Sequence, residues 1–287
     1  MTNLIPFPDS LPADSRAAKY AVDAREDLLP LKRLIWLYFI LLILEGALRK
    51  WVMPSMANPL LIVRDPVVVL IYIVAATMGI FPKNAFVVWT VILAGLSFFA
   101  SELGGKGNLL ITIYGLRTNF LHLPLIFLMP SILDAKDVHR IGKWLLIIAI
   151  PMALLVVAQF RAAPESRLNV GAGGSIGGQI EVAFGKIRPA GMFSYNTGVT
   201  SFMALVAAYV ISTLIVKDSP NRKMAWVALP TVLVMIAVSG SRTSLGVISI
   251  ILAGMIFICL RKRVFFKKGM QGAILLVLVY GALSFWG

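Results

Sequence analysis

The chain has 287 residues, of which 59% are hydrophobic and only 14% are charged, against roughly a quarter charged in an ordinary soluble domain. A soluble domain of this size cannot bury so many apolar side chains, so the composition predicts a polytopic membrane protein. The net charge of +14 comes mostly from short segments between apolar runs, which is the pattern that orients membrane helices, and nucleic-acid binding is not expected.

The first 33 residues are predicted to form a polar tail. This tail has several acidic residues, Asp23 and Glu26 among them, and no apolar h-region, so no cleavable signal peptide is predicted. We expect the tail to stay in the cytoplasm, with residues 34–287 forming the transmembrane domain.

Apolar runs after the tail predict an all-α bundle of about nine spanning helices, since a span requires about 20 residues. With a cytoplasmic N-terminus, the larger share of Lys and Arg lies in the inner segments, as the positive-inside rule requires. The last run stops abruptly, so the chain is predicted to be an N-terminal fragment. The predicted spans are 34–52, 66–82, 85–101, 109–130, 144–160, 193–216, 224–240, 244–260 and 270–287.

The longest predicted outer segment, 161–192, is rich in glycine. It lacks the G-x-G-x-x-G spacing of a dinucleotide-binding loop. Two interpretations stay open: a flexible linker, or a mobile lid over an outward-facing site.

Glu45 and Arg49 lie late in the first predicted span, where their i,i+4 spacing favours a local ion pair. Charges inside a membrane usually mark a pathway or a site, so the alternative is that both face a polar cavity. Arg117 is predicted at a similar depth, and we expect Glu45 and Arg117 to pair across helices. On a continuous helix His122 lies off the Arg117 face, which predicts a packed, hydrogen-bonded histidine rather than a base.

Arginines on the predicted outer side need a reason, because the positive-inside rule disfavours them there. Arg188 and Arg242 each precede a predicted helix N-terminus, where free N–H groups and the helix dipole favour phosphate. The serines around Arg242 also fit a simple capped hairpin, and Asp65 fits an N-cap before Pro66. We predict a site for a lipid diphosphate on the outer leaflet. Its candidate residues are Arg49, Arg64, Arg117, Arg188 and Arg242.

Metal and disulfide chemistry are limited by composition. The chain has a single cysteine, Cys259, and two histidines without ligand spacing, His122 and His139. One cysteine cannot form an internal disulfide or a cysteine-based zinc site. We expect neither a metal nor a cofactor.

Five short motifs, taken together and in this order, resemble bacterial O-antigen ligase and O-antigen polymerase membrane proteins. The resemblance covers nearly the whole chain beyond the polar tail, although family members are usually longer and carry a large periplasmic loop near the point where this sequence stops. The motifs are Glu45-Gly-Ala-Leu-Arg-Lys-Trp-Val, Arg64-Asp-Pro, Tyr114-Gly-Leu-Arg, Arg188-Pro-Ala-Gly-Met-Phe-Ser and Ser239-Gly-Ser-Arg.

The resemblance implies a glycosyltransferase of the bacterial inner membrane that acts in O-antigen or exopolysaccharide biosynthesis. Such an enzyme polymerises or ligates undecaprenyl-diphosphate-linked oligosaccharides at the periplasmic face, without a metal or a nucleotide sugar. Arginines are thought to hold the diphosphate, and Arg188 and Arg242 match that role best by position. The resemblance identifies no catalytic base in this chain.

The expected partners are an undecaprenyl-diphosphate-linked glycan, membrane lipids and other polysaccharide-assembly membrane proteins. The residues alone also fit a transporter or flippase of an anionic or lipid-linked solute, and a membrane scaffold. A transporter moves its solute without changing it covalently, whereas an enzyme changes glycan length or attachment. A scaffold tolerates substitution of the outer arginines.

Overall fold

The computed structural model describes residues 28–104, 108–182, 185–216, 218–262, 266–267 and 270. In these ranges the chain is helical apart from short turns, loops and a hairpin of two two-residue strands, β1 (Glu181–Val182) and β2 (Lys186–Ile187). The α-helices are α1 (Leu29–Ala47), α2 (Ala57–Leu61), α3 (Asp65–Thr77), α4 (Ala85–Leu103), α5 (Leu109–Phe120), α6 (Leu125–Ile132), α7 (Ala135–Arg161), α8 (Asn196–Ile215), α9 (Arg222–Val238) and α10 (Arg242–Arg261).

Six helical segments of the described chain are long and apolar enough to cross a membrane, which corrects the prediction of nine. The protein is therefore a polytopic helical membrane protein. The six segments are Pro54–Thr77, Ala85–Leu103, Leu109–Ile132, Ala135–Arg161, Asn196–Ile215 and Arg242–Arg261.

Three predicted spans are missing from this set. The first predicted span, 34–52, corresponds to helix α1. This helix begins at Leu29, inside the predicted tail, and carries the charged residues Lys32, Arg33 and Glu45. Helix α9, predicted as 224–240, has only 17 residues, or about 26 Å at 1.5 Å per residue, which is short of a hydrocarbon core of about 30 Å. The third, 270–287, lies outside the described residues except for Met270.

The chain divides into two compact units. The first contains the described part of Met1–Phe39 together with Asp65–Leu133, and the second contains Ile40–Arg64 together with the described residues from Asp134 onward. In the first unit, α4 packs against α5, and a hydrogen bond of 2.7 Å joins the hydroxyls of Ser101 and Thr112. The rings of Phe86 and Phe127 stack at 5.5 Å and join α4 to α6.

The second unit is built on α7, α8, α9 and α10, where α9 packs on both α7 and α8, and α10 packs on α8. Buried apolar side chains from α7, α8 and α9 form its core, and small residues let the helices approach closely. Its fully buried members include Ala149, Val156, Met203, Val206, Val210, Ala225, Ala228 and Met235.

Gly142 in α7 lies directly against Tyr209 in α8, and we expect Gly142→Ala to destabilise the second unit. A Cβ on Gly142 would stand 1.9 Å from Tyr209 Cζ. The ring is held because Asn221 Nδ2 donates to the Tyr209 hydroxyl at 2.7 Å, so the overlap should cost about 1–3 kcal/mol. Thermal unfolding in detergent measures the loss. Gly254→Ala is the control, since a Cβ there would meet no atom of the described residues within 4 Å. Equal melting temperatures for the two variants would contradict the packing.

Candidate anion-binding site

Helix α1 ends in a π-helical turn, Leu48–Val52, whose residues Arg49 and Lys50 are buried together with Glu45 one turn earlier. The Met53 N–H bonds the Leu48 carbonyl at 2.7 Å and closes the wide turn. Turns of this kind occur often at functional sites. Three buried charges in one short stretch are costly unless each finds a partner.

Glu45 bridges two arginines of the second unit. Its Oε1 accepts from Arg49 Nη1 at 3.2 Å, and its Oε2 accepts from Arg64 Nε at 2.6 Å. The i,i+4 ion pair expected from the sequence is thus present, with Arg64 as an additional partner. One carboxylate cannot neutralise two guanidinium groups, so the group Glu45–Arg49–Arg64 carries one surplus positive charge. We call Arg49 and Arg64, joined by Glu45, the arginine pair.

Arg49 also fixes the surrounding backbone. Its Nε donates to the Ala57 carbonyl at 2.8 Å, and its Nη1 donates to Ser194 Oγ at 2.9 Å. None of the hydrogen bonds of the described residues uses Nη2 of Arg49 or either Nη atom of Arg64. The Arg64 side chain is 21% exposed, so its two Nη atoms can meet an anion that arrives from outside.

Lys50 is only 2% exposed and holds the chain just before α8. Its Nζ donates to the carbonyls of Gly191 at 2.6 Å and Phe193 at 3.0 Å, and lies 4.4 Å from the centre of the Trp51 ring. Lys50 lies outside the six candidate spans, and burial lowers the pKa of its ammonium group to about 7. With two carbonyls and a ring around it, Lys50 positions the backbone rather than offering a ligand site.

Gln159, fully buried near the end of α7, also forms hydrogen bonds with the backbone of Gly191. Gly191 N–H donates to Gln159 Oε1 at 2.7 Å, and Gln159 Nε2 donates to the carbonyls of Gly191 at 3.2 Å and Leu168 at 2.9 Å. Gly191 has a φ of +55°, and a Cβ there would stand 2.7 Å from Met152 Sδ. Glycine is therefore required at the point where Lys50 and Gln159 meet.

The predicted outer segment 161–192 is fastened at several described points. Trp51 Nε1 donates to the Arg167 carbonyl at 2.9 Å, and the Gly173 N–H donates to the Arg49 carbonyl at 3.0 Å. Strands β1 and β2 pair antiparallel within it. A free flexible linker does not account for these bonds, while the lid interpretation stays a prediction.

Arg188 and Arg242 are placed differently from the arginine pair. Arg188 is half-buried, and its Nε is buried without a hydrogen-bond partner among the described residues. Arg242 is exposed at the first residue of α10. The preceding Ser241 makes no side-chain cap bond, so the serine cap predicted there is not formed by that residue. No described hydrogen bond or ion pair joins Arg188 or Arg242 to Glu45.

Arg117 in the first unit pairs with Asp65. Glu45 belongs to the second unit, and its pairing with Arg117 stays a prediction. Arg117 Nε donates to Asp65 Oδ2, and the guanidinium carbon lies 5.0 Å from the centre of the Tyr114 ring, the neighbour expected from helical spacing. Asp65 is the first residue of α3, and its carboxylate serves this ion pair.

His122 joins the same group, contrary to the expectation from a continuous helix. Helix α5 ends at Phe120, and the turn that follows brings His122 Nε2 to 3.5 Å from Asp65 Oδ1. His122 Nδ1 lies 3.4 Å from the hydroxyl of buried Tyr38. Both ring nitrogens thus face polar partners, as expected for a packed, hydrogen-bonded histidine.

The Asp65–Arg117 ion pair can be measured with a double-mutant cycle on Asp65→Asn and Arg117→Met. Each single change should cost on the order of 2 kcal/mol, less than the ~3–5 kcal/mol of a fully buried pair, because both side chains are partly exposed. The double variant should recover part of the loss when thermal unfolding is measured in detergent. Strictly additive losses would contradict the pair. The same cycle on Glu45 and Arg117 tests the pairing expected from the sequence.

Comparison with known proteins assigns no family or function to this site. No protein-family model matches the chain, and no curated protein or solved structure matches it. Among the described residues there is no cluster of three or more His, Cys, Asp or Glu side chains that could bind a metal ion. The family implied by the five motifs therefore stays a prediction, and what is shown is a polytopic helical membrane protein.

The structure does bring several of the motifs together. In the second unit Glu45 and Arg49 of the first motif meet Arg64 of the second and Ser194 of the fourth. In the first unit Asp65 meets Arg117 of the third motif. Gln159 was missed by sequence reasoning, although an amide inside an otherwise apolar run was the available signal.

Proposed function

We propose that this protein is a membrane glycosyltransferase of the O-antigen ligase or polymerase type. In this proposal the arginine pair holds the diphosphate of an undecaprenyl-diphosphate-linked glycan. The carrying observation is the single carboxylate, Glu45, shared by Arg49 and Arg64. The surplus charge and the unused guanidinium N–H groups suit a phosphate, which accepts paired hydrogen bonds from arginine.

The reaction would proceed by displacement at the donor sugar. A hydroxyl of the acceptor sugar attacks C1 of the donor sugar, the new glycosidic bond forms, and undecaprenyl diphosphate leaves with the electron pair of the broken bond. A general base takes the hydroxyl proton, and the proposal assigns no residue to that step. The arginine pair stabilises the negative charge that grows on the leaving diphosphate.

Contacts in the second unit support a periplasmic location for this site. The bonds from Trp51 to Arg167 and from Gly173 to Arg49 join two segments that the charge pattern predicts on the outer side. The bond from Asn221 Nδ2 to the His139 carbonyl, at 2.8 Å, joins two segments predicted on the inner side. A bacterial inner-membrane protein with a cytoplasmic N-terminus fits both pairings.

Arg188 is the third residue that we propose for the diphosphate, because its buried Nε has no partner among the described residues. It precedes Gly191, whose position Lys50 and Gln159 fix. Arg242 is exposed and stays a candidate by motif alone. Arg117 is engaged by Asp65 and is left out of the proposed diphosphate site.

The test is complementation of a gene deletion, read as the size distribution of lipid-linked and surface glycans on a gel. For a polymerase, long chains should vanish and single lipid-linked units accumulate; for a ligase, long lipid-linked chains should persist without transfer. Wild type and Arg167→Ala should restore the pattern, whereas Arg64→Ala should not. Arg167 is the matched control because it is an exposed arginine that is also predicted on the outer side. Restoration by Arg64→Ala at equal protein level would contradict the site.

A transporter or flippase of an anionic solute is the second candidate. It is favoured by Asp65 and Arg117, an ion pair whose members lie in two candidate spans, because charges within spans often mark a pathway. Unchanged glycans in the deletion strain, together with solute movement into sealed vesicles that contain the protein, would decide for transport.

A further inference from the structure

The diphosphate site leaves unexplained a group of large apolar side chains exposed near the end of α1. Ile176 is 70% exposed and Val52 is 64% exposed, and three neighbours in sequence are also exposed. We call the whole group the apolar rim. It consists of Val52, Met53, Met56, Ile176 and Ile180.

The two stretches of the apolar rim adjoin within the second unit. A Cβ on Gly174 would lie 3.3 Å from Pro54 Cβ, and one on Gly173 would lie 3.8 Å from Ala57 Cβ. The Gly173 N–H is bonded to the Arg49 carbonyl. The glycine-rich turn that carries Ile176 therefore rests on the turn that carries Met53 and forms one exposed surface with it.

The contacts also fix the level of the apolar rim. Pro54 is the first residue of one candidate span, and Arg161 is the last residue of another. The segment between Arg161 and Ile176 is bonded at Arg167 to Trp51 and at Leu168 to Gln159, so it cannot rise far from the helix ends. The apolar rim thus lies where candidate spans begin and end, which is the level of a membrane surface.

Charge supports the same partner. Arg161 and Arg167 are exposed on the segment that leads to Ile176. Apolar side chains with basic neighbours are the composition that binds an anionic lipid surface, where the apolar groups sink to the boundary of headgroups and acyl chains. Water alone would leave this apolar area without compensation.

We propose that the apolar rim lies on the lipid bilayer, with Ile176 and Ile180 inserted among the lipid headgroups. The inference is independent of the proposed enzymatic function. It makes the central part of the glycine-rich segment a membrane-bound surface rather than a loop in water.

A single-cysteine experiment tests this on the full chain. Cys259 is the one cysteine of the sequence, so Cys259→Ala gives a background for Ile176→Cys labelled with an environment-sensitive fluorophore. The protein is reconstituted in vesicles of phosphatidylcholine and phosphatidylglycerol. Glu165→Cys, at an exposed charged residue of the same segment, is the matched control. The label at 176 should be quenched several-fold more by nitroxide lipids, and several-fold less by aqueous iodide, than the label at 165.

Two results would overturn the proposal. Equal quenching at both sites by iodide, with no effect of nitroxide lipids, would show a segment standing in water. Protection of position 176 from both quenchers would show a protein surface over the apolar rim. Ile180→Cys repeats the measurement where Ile176→Cys lowers the yield of folded protein.

Discussion

Replacing Arg49 by lysine is expected to abolish glycan assembly in the complementation assay and to destabilise the protein markedly. The guanidinium serves three directions at once: the Ala57 carbonyl, Glu45 and Ser194. A lysine ammonium on a flexible stem cannot reproduce this planar fork. Loss of two charge-assisted bonds, each worth about 1.5–3 kcal/mol, should lower the free energy of unfolding by several kcal/mol, measured by thermal unfolding in detergent.

Arg242→Lys provides the control for the chemistry of the exchange. Arg242 is exposed, and the described structure gives its side chain no hydrogen bond, so this variant should unfold like the wild type. Comparing Arg49→Lys with Arg242→Lys separates the loss of a buried, hydrogen-bonded guanidinium from the exchange of an exposed charged side chain. A wild-type melting temperature for Arg49→Lys would show that its three contacts do not form together.

Sequence patterning predicted the membrane class, and six of its nine predicted spans overlap the candidate spans, because a long apolar run is typical of a membrane helix. It failed at the ends of helices. No residue pattern in the apolar run 34–52 predicts that the α-helix changes to a π-helical turn after Ala47. The segment Leu109–Ile132 counts as one candidate span, yet α5 stops at Phe120 and α6 starts at Leu125, directly after Pro124. The residue before a proline avoids the α conformation, which fits a break between two helices at this point.

The same boundary explains the error at the polar groups of the first unit. A continuous helix rotates His122 away from Arg117, but the turn after Phe120 places both at Asp65. The pairing of Glu45 with Arg117 stays a prediction that rests on depth along the helices, and depth carries no information on which helices are neighbours. The local pair Glu45–Arg49 was predictable since it depends only on i,i+4 spacing.

Lys50 shows what a charge pattern alone cannot reveal. Beside Arg49 in the sequence it resembles a second outer cation, yet it is buried and bound to two backbone carbonyls. Those carbonyls lie more than a hundred residues away along the chain, and only the folded backbone brings them to Lys50. The contribution of such a residue is the placement of Ser194 opposite Arg49.

Gly46→Ala is expected to destabilise the second unit strongly and to disrupt the arginine pair. A Cβ on Gly46 would stand 2.4 Å from the Met192 carbonyl oxygen and 2.6 Å from the Cα of Phe193. These are backbone atoms, so no side-chain rotation relieves the overlap. Residues 192–193 must move away, which stretches the bonds from Lys50 to Phe193 and from Arg49 to Ser194. Overpacking of about 1–3 kcal/mol then adds to the weakened charge-assisted bonds.

Gly95→Ala is the matched control, because Gly95 is also inside a helix and its Cβ would meet nothing within 4 Å in the part of the chain that the structure describes. That exchange should leave stability unchanged or raise it by up to about 1 kcal/mol through helix propensity. Thermal unfolding compares the two variants directly, and equal stability would show that α1 does not touch the chain before α8. Should Gly46→Ala fold at permissive temperature yet fail in glycan complementation, the glycine would be required for the geometry of the arginine pair. The glycine between Glu45 and Arg49 then has a physical reason. Without a side chain at position 46, the helix lies close to residues 192–193, so that Arg49 reaches Ser194 while Glu45 binds Arg64.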